Sequence, residues 1–365
     1  MLPCAGMLSL SVNYPKRVVS NEDIRARAPW DVAEVESRSL ARLWAGQRKS
    51  ADEAGEWARA MEPHLGDPFR GAVQRRHLVA GESALSLELV AAREAITRCG
   101  LEPGDIDLVI SAAFLPDQIG IGNAAFICKE LGLRAAAINL ESACSGSLVA
   151  FQTACALVQA GKFHRVLVVA SCAYSRYSDV KDTFGWFLGD GAGAFVVGEV
   201  AAGEGLLAQA SRHTGELCGA FSYDLEVDPA GVPRILMRAD PSAGGRLAEV
   251  QDGYVLGMTH EALRRAGLGV EDIDLFVINT PTAWFHRYFA ALLGIDVERT
   301  VTTYPLLANI GPALLPASLH FAASRGRIAR GDRVLLFTVG SVSSTAAAIV
   351  RWGDVALGVD PLAGL

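Results

Sequence analysis

Cys144 is the residue around which a chemical reading of this chain turns. It stands in the run from Ile138 to Leu157, INLESACSGSLVAFQTACAL. An apolar strand enters that run, Glu141-Ser142-Ala143 turns sharply, and Ser145-Gly146-Ser147 opens a helix with small residues at Ala150, Thr153 and Ala154. A cysteine in the first turn of a buried helix meets unpaired backbone N–H groups and the positive end of the helix dipole. Such a setting lowers a thiol's pKa and favours a nucleophilic thiolate. The small neighbours leave room for a thioester carbonyl to reach the sulfur. The alternative is a cysteine that serves only as a small buried hydrophobe.

An internal repeat favours the first reading. At an offset of about 165, Ile106-Asp107-Leu108 recurs as Ile273-Asp274-Leu275. Glu130-Leu131-Gly132-Leu133 recurs as Leu292-Leu293-Gly294-Ile295, and Gly161 to Leu167 recurs as Ala329 to Leu335. Between these anchors Ala143-Cys144-Ser145-Gly146 aligns with Ala308-Asn309-Ile310-Gly311. Two copies of a βαβ-type unit about a pseudo-dyad bring equivalent helix N-termini face to face. The repeat therefore sets Asn309 beside Cys144, where an amide can hold an oxyanion or an acyl carbonyl.

The elements that carry these residues read as an alternating α/β chain. Residues 7–19 read as a strand with a turn at Tyr14-Pro15, and Ser20-Asn21-Glu22-Asp23 as a helix start. Residues 31–63 form a polar, helix-prone stretch with Trp44 and Trp57, read as a solvated helical pair in preference to a cap over a substrate entrance. Gly81–Cys99 is an amphipathic helix closed by Gly100. Buried strands follow at 106–112 and 165–170, and between them a strand at 136–140 leads to Cys144. A loop spans Phe114–Asn123, a helix 124–131, and a polar and aromatic loop 173–188. Gly189-Asp190-Gly191-Ala192-Gly193 leads into a strand with no helix after it, so tight backbone packing is expected there, not a phosphate cradle. Arg70, Arg75 and Arg76 lie in a basic cluster suited either to a phosphate or to surface ion pairs.

Length and composition bound the rest. The chain has 365 residues, about half of them hydrophobic, and a net charge of −7. That length suits a duplicated fold, with halves at 1–200 and 201–365 and a helical insertion at about 31–63. The negative balance argues against nucleic acid as a partner. No apolar run reaches the roughly 18 residues of a membrane span, and the N-terminus lacks a signal-peptide pattern. The seven cysteines are odd in number and scattered without metal-ligand spacing. They point to a reducing cytoplasm, with no metal and no bound cofactor expected.

The segments ESACSGS, LGDGAGAFVVGE, ANIGPALLP and VGSVSSTAAAIVRW together resemble the β-ketoacyl-acyl carrier protein synthase III type of the thiolase superfamily, over about residues 70–365. The resemblance implies a five-layered α-β-α-β-α duplication, a homodimer with the 114–123 loop at its contact, and acyl transfer through a Cys–His–Asn triad. Cys144 matches the nucleophile and Asn309 the asparagine. The family histidine position is occupied by Asn279, within Asn279-Thr280-Pro281-Thr282. The family's C-terminal glycine triplet is Gly340-Ser341-Val342, with the backbone of Ser341 and of Cys144 implied as the oxyanion hole. Arg70, Arg75 and Arg76 align with the segment that faces the CoA or carrier phosphate.

An amide at position 279 donates a hydrogen bond but is no acid or base near neutral pH. His286 lies seven residues on, about 10 Å along a helix, and His213, His260 and His320 lack motif context. All four read as surface or packing residues. The expected function is acyl transfer from a carrier-protein or CoA thioester, through Cys144, to a small-molecule acceptor in polyketide-type specialised metabolism. Decarboxylative Claisen condensation and a non-catalytic partner subunit are the alternatives.

Overall fold

The computed structural model describes residues 3–27, 32, 55–64, 67–178, 183–227, 231–340 and 342–364. Most of the 31–63 stretch, including Trp44, lies outside them. The first half opens with β1 (Ala5–Asn13), β2 (Arg17–Ser20), α1 (Asn21–Arg27), α2 (Glu56–Met61) and β3 (Gln74–His77). It continues through α3 (Ala84–Arg98), β4 (Leu108–Phe114), α4 (Ala124–Leu131), β5 (Ala136–Asn139), α5 (Gly146–Gln159), β6 (Arg165–Ala173) and β7 (Asp190–Glu199). The second half begins with β8 (Gly205–His213), a hairpin of β9 (Phe221–Val227) and β10 (Pro233–Ala239), and the long α6 (Ala243–Ala266). Then come β11 (Leu275–Ile278), α7 (Phe285–Leu293), β12 (Thr300–Val301), α8 (Tyr304–Leu307) and α9 (Leu314–Ser324). The last strands are β13 (Arg333–Val339), β14 (Ser344–Arg351) and β15 (Ala356–Leu357).

The local signals explain many boundaries. Ser83 caps α3 by accepting the Ser86 N–H while the Ser86 hydroxyl accepts the Ser83 N–H, the reciprocal arrangement that satisfies two orphan donors. Gly100, at φ +69°, ends the same helix in the left-handed region.

Two sheets repeat one topology. The first runs β15-β1-β7-β6-β4-β5 and the second β12-β11-β13-β14-β8. In each, two parallel neighbours (β5 and β6 beside β4, β12 and β13 beside β11) are followed by two antiparallel pairings. The repeated aspartates do the same work in both copies. Asp107 accepts the His164 and Arg165 N–H groups, and Asp274 accepts the Arg333 N–H at 2.8 Å.

Helices α5 and α9 lie between the sheets, in one apolar core with Leu148, Phe151, Leu315 and Leu319. Helices α3 and α4 cover the outer face of the first sheet, and α6 and α7 that of the second. The layers are thus α-β-α-β-α. The glycines before and within β7 serve close packing, as expected. A Cβ on Gly189 would stand 2.4 Å from the Leu307 carbonyl oxygen, and one on Gly193 would stand 2.6 Å from Pro316.

Candidate active site

The turn that carries Cys144 is held from both halves. Ala143 lies in the left-handed region at φ +46°, which costs an L-residue about 1–2 kcal/mol. Its N–H donates to the Glu141 carboxylate at 2.6 Å. The Ser145 hydroxyl donates to the Ser344 carbonyl at 2.8 Å, and Ser142 shares a hydrogen bond with the Ser344 hydroxyl. Gly340 backs this turn so closely that a Cβ there would stand 2.8 Å from the Ser142 carbonyl oxygen. Only glycine fits.

The second elbow mirrors the first. Ala308, the repeat equivalent of Ala143, is also left-handed, at φ +55°. Asn309 is pinned to the first half through its backbone: its N–H donates to Phe187 and its carbonyl accepts from Gly189. Its Oδ1 accepts the Gly311 N–H at 2.9 Å, so the NH2 is the end it can present. The two elbows pack on one another, and Cys144 and Asn309 line the same cavity.

That cavity measures about 970 Å³ and is lined mainly by apolar and aromatic groups. Phe114, Leu115, Tyr223 and Met237 supply one wall, and Trp57 and Trp284 another. Trp57 meets Trp284 edge-on at 6.1 Å and Tyr288 at 5.0 Å. In this part of the 31–63 stretch, then, α2 walls the cavity, and the expectation of a solvated helical pair fails there. Its amphipathic sequence is silent on which partner covers the apolar side.

Beside the nucleophile stands Tyr174, its hydroxyl 3.7 Å from the Cys144 sulfur. Burial holds this phenol well above its ordinary range, so it is a neutral hydroxyl at working pH. Burial also pushes the Cys144 thiol up to about 11, the Tyr174 hydrogen bond offsets part of that, and the Glu141 charge adds to it. The lowered pKa expected from the helix terminus is therefore overturned. A first-turn dipole contributes about 0.3–1 kcal/mol, and desolvation of the thiolate outweighs it.

The matching family models are 3-oxoacyl-[acyl-carrier-protein] synthase III, over residues 138–215, and its C-terminal model, over 263–352. A β-ketoacyl-[acyl-carrier-protein] synthase III of Sinorhizobium medicae is 32% identical over 78% of this chain and 89% of its own length. One from Rhizobium meliloti is 30% identical over 93% of this chain and 96% of its own. The chain belongs to the β-ketoacyl-[acyl-carrier-protein] synthase III family. Its fold agrees with the synthase III structure of Thermus thermophilus, at TM-score 0.78, 28% identity and coverage of 96% and 99% of the two chains. The priming β-ketosynthase of the R1128 polyketide pathway matches at TM-score 0.76 and 23% identity, with 96% and 97% coverage.

Against that family pattern, several expected site residues sit elsewhere. Asn279 does not line the cavity. It is 1% exposed, and its NH2 donates to the Val339 carbonyl at 3.1 Å while its Oδ1 accepts the Val339 N–H at 3.0 Å. Both ends of the amide are committed to the backbone of β13, so Asn279 acts as a clasp at the strand end, and a substrate-facing role is corrected. Replacing it by His leaves at least one of the two Val339 groups without its partner, at about 1–3 kcal/mol. Asn279→His is expected to lower the melting temperature and to leave malonyl decarboxylation no faster; a gain in decarboxylation at unchanged stability contradicts this.

The arginines part company as well. Arg70 lines the cavity, its guanidinium 5.0 Å from the Phe187 ring centre. Arg75 is fully buried, donating to Asn21 at 2.8 Å and to the Val19 carbonyl, with burial lowering its pKa to about 10. It is closed to any phosphate. Arg76 donates to the Pro15 carbonyl and is absent from the cavity's described lining. Ser341 lies outside the described residues. None of the seven histidines is among the described residues lining the cavity; His320 is buried against the Gly358 carbonyl and His213 accepts the Gly215 N–H.

Sequence reasoning passed over Glu141 and Tyr174. Glu141 lies three residues before the nucleophile and could have been found by asking which acid or base stands nearest Cys144 in sequence. Tyr174 is separated from it by the whole of α5 and β6, and nothing local marks it.

Proposed function

We propose that this family member loads an acyl group from a carrier-protein or CoA thioester onto Cys144 and passes it to a small-molecule acceptor other than malonyl thioester. The observation that carries the reading is Asn279, clasped to Val339 outside the cavity, in the position where the resemblance implies a histidine. Without an imidazole in the cavity, the His–Asn pair that holds a decarboxylating enolate is incomplete. A cavity of about 970 Å³, at the upper end of the usual range for ligand sites, accommodates an acyl chain and a bulky acceptor together. Arg70, the one cation among the described lining residues, suits a thioester donor's phosphate. The polyketide-type setting rests on the similarity to the R1128 priming enzyme.

Claisen condensation is the second reading, favoured by the curated β-ketoacyl synthase relatives. The test separates them. Incubation with acyl thioester followed by intact-protein mass spectrometry is expected to show one adduct, and added malonyl thioester is expected to release no CO2. Stoichiometric CO2 release with carbon–carbon product overturns the acyl-transfer reading in favour of condensation.

The homodimer implied by the resemblance is proposed on the exposed edge of the first sheet. Strand β5 is exposed along its length and, among the described residues, ends its sheet, the kind of edge that natural sheets cover or protect. Ile119 and Ile121 stand 61% and 65% exposed beside it in the 114–123 loop. Light scattering at micromolar concentration is expected to give twice the chain mass, and a monomer contradicts this. Among the described residues no helix is long and apolar enough to cross a membrane.

A further inference from the structure

The cavity around Cys144 is lined by its thiol, by the phenols of Tyr174, Tyr223 and Tyr304 and by no described histidine, so the proton of an incoming acceptor needs another destination. Two carboxylates line the described cavity, Glu141 and Asp240. Asp240 accepts the N–H of Ser242 at 2.8 Å and bonds its hydroxyl, at the exposed start of α6. Glu141 instead belongs to the nucleophile's own turn. One of its oxygens accepts the Ala143 N–H at 2.6 Å, which fixes the carboxylate beside the residue preceding Cys144. The other oxygen takes no part in that bond, and the residue is accessible along the cavity wall. Its charge is felt at the Cys144 sulfur.

We infer that Glu141 is the general base of the transfer step, taking the place of the family's imidazole for an alcohol or amine acceptor. This rests on the acyl-transfer reading above. The acceptor's O–H or N–H proton passes to the Glu141 carboxylate as its oxygen or nitrogen bonds to the thioester carbonyl carbon. Collapse of the tetrahedral adduct breaks the C–S bond. The sulfur leaves with the electron pair and recovers the proton from Glu141, so thiol and carboxylate are both restored. Burial raises the Glu141 carboxyl above its ordinary range, toward the working pH where a general base is most effective. The same cause pushes the thiol up to about 11, so the released thiolate is the stronger base and the returning proton runs downhill to sulfur.

The competing account is that Glu141 only braces the strained Ala143 corner. Glu141→Gln keeps an oxygen for the Ala143 N–H and removes the base, so it separates the two. The acyl-enzyme is formed with octanoyl-CoA or the octanoyl carrier protein and its decay is followed by mass spectrometry. Water and benzyl alcohol serve as acceptors that need a base, and hydroxylamine as one that does not. Glu141→Gln is expected to slow decay to water and to benzyl alcohol by about 10²–10⁴, with decay to hydroxylamine within a few-fold of wild type. Unchanged decay to all three acceptors, or an equal loss with all three, overturns the inference. An adduct on the wild type together with either of these results for Glu141→Gln leaves acyl loading standing and removes only Glu141. A wild type that takes no acyl group from either donor overturns both.

Discussion

Cys144→Ala is expected to abolish the acyl adduct while leaving the protein folded. The sulfur is the group that bonds the acyl carbon, and an alanine methyl offers no electron pair to replace it. Stability should change little, because the sulfur's hydrogen bond is a long one, 3.7 Å, to Tyr174. The bonds that hold the turn come from Glu141, Ser142 and Ser145, and all survive the substitution. Intact-protein mass spectrometry and a melting curve read the two halves of this expectation. A stoichiometric adduct on the variant moves the nucleophile to another cysteine, and loss of folding means the turn depends on the thiol for packing.

Asn309→Ala is expected to slow acyl loading by about 10²–10³, the range for removing one oxyanion donor. The substitution also deletes the acceptor of the Gly311 N–H, so a loss by itself leaves two explanations. Asn309→Asp distinguishes them. It keeps an oxygen for Gly311 and sets a carboxylate where negative charge develops. If the amide acts on the oxyanion, the aspartate variant is at least as slow as the alanine one. Recovery of rate in the aspartate variant would reduce Asn309 to a brace for its elbow. Single-turnover loading rates decide the matter.

Much of the frame was legible in the residues because it is written twice. The Ile-Asp-Leu and Arg-Val-Leu anchors recur at nearly the same offset, and each pair encodes the same strand entry and the same aspartate bonded to the neighbouring strand. Matching them placed Asn309 opposite Cys144 with no further information. Side-chain direction was not legible. Asn279 turns away from the cavity because Val339, sixty positions along, offers a donor and an acceptor at the right spacing. Arg75 is buried because Asn21 and the Val19 carbonyl receive it across the β2–β3 pair. Periodicity records which face a residue occupies, and a polar group's eventual partner lies outside its reach. The thiol's pKa failed for a related reason: a helix N-terminus is visible in sequence, and the depth at which tertiary packing sets it is not.

The sheet order also governs the sequence of events in folding. Strand β15, at residues 356–357, pairs in parallel with β1 at Ser9 and Leu10, and α9 shares one core with α5. In a nascent chain α5 therefore packs on β4, β6 and β7 early, while the part of the inner face over β1 and β7 that α9 packs against waits through some 150 residues of synthesis between the two helices. Contacts so distant along the chain slow the search for the native state, and apolar surface left open in the interval is where association with other chains begins. For this fold the hazard lies in the seconds of synthesis between the two helices, at roughly 5–20 residues per second; a slower ribosome lengthens it, and a truncated message leaves that surface open for good.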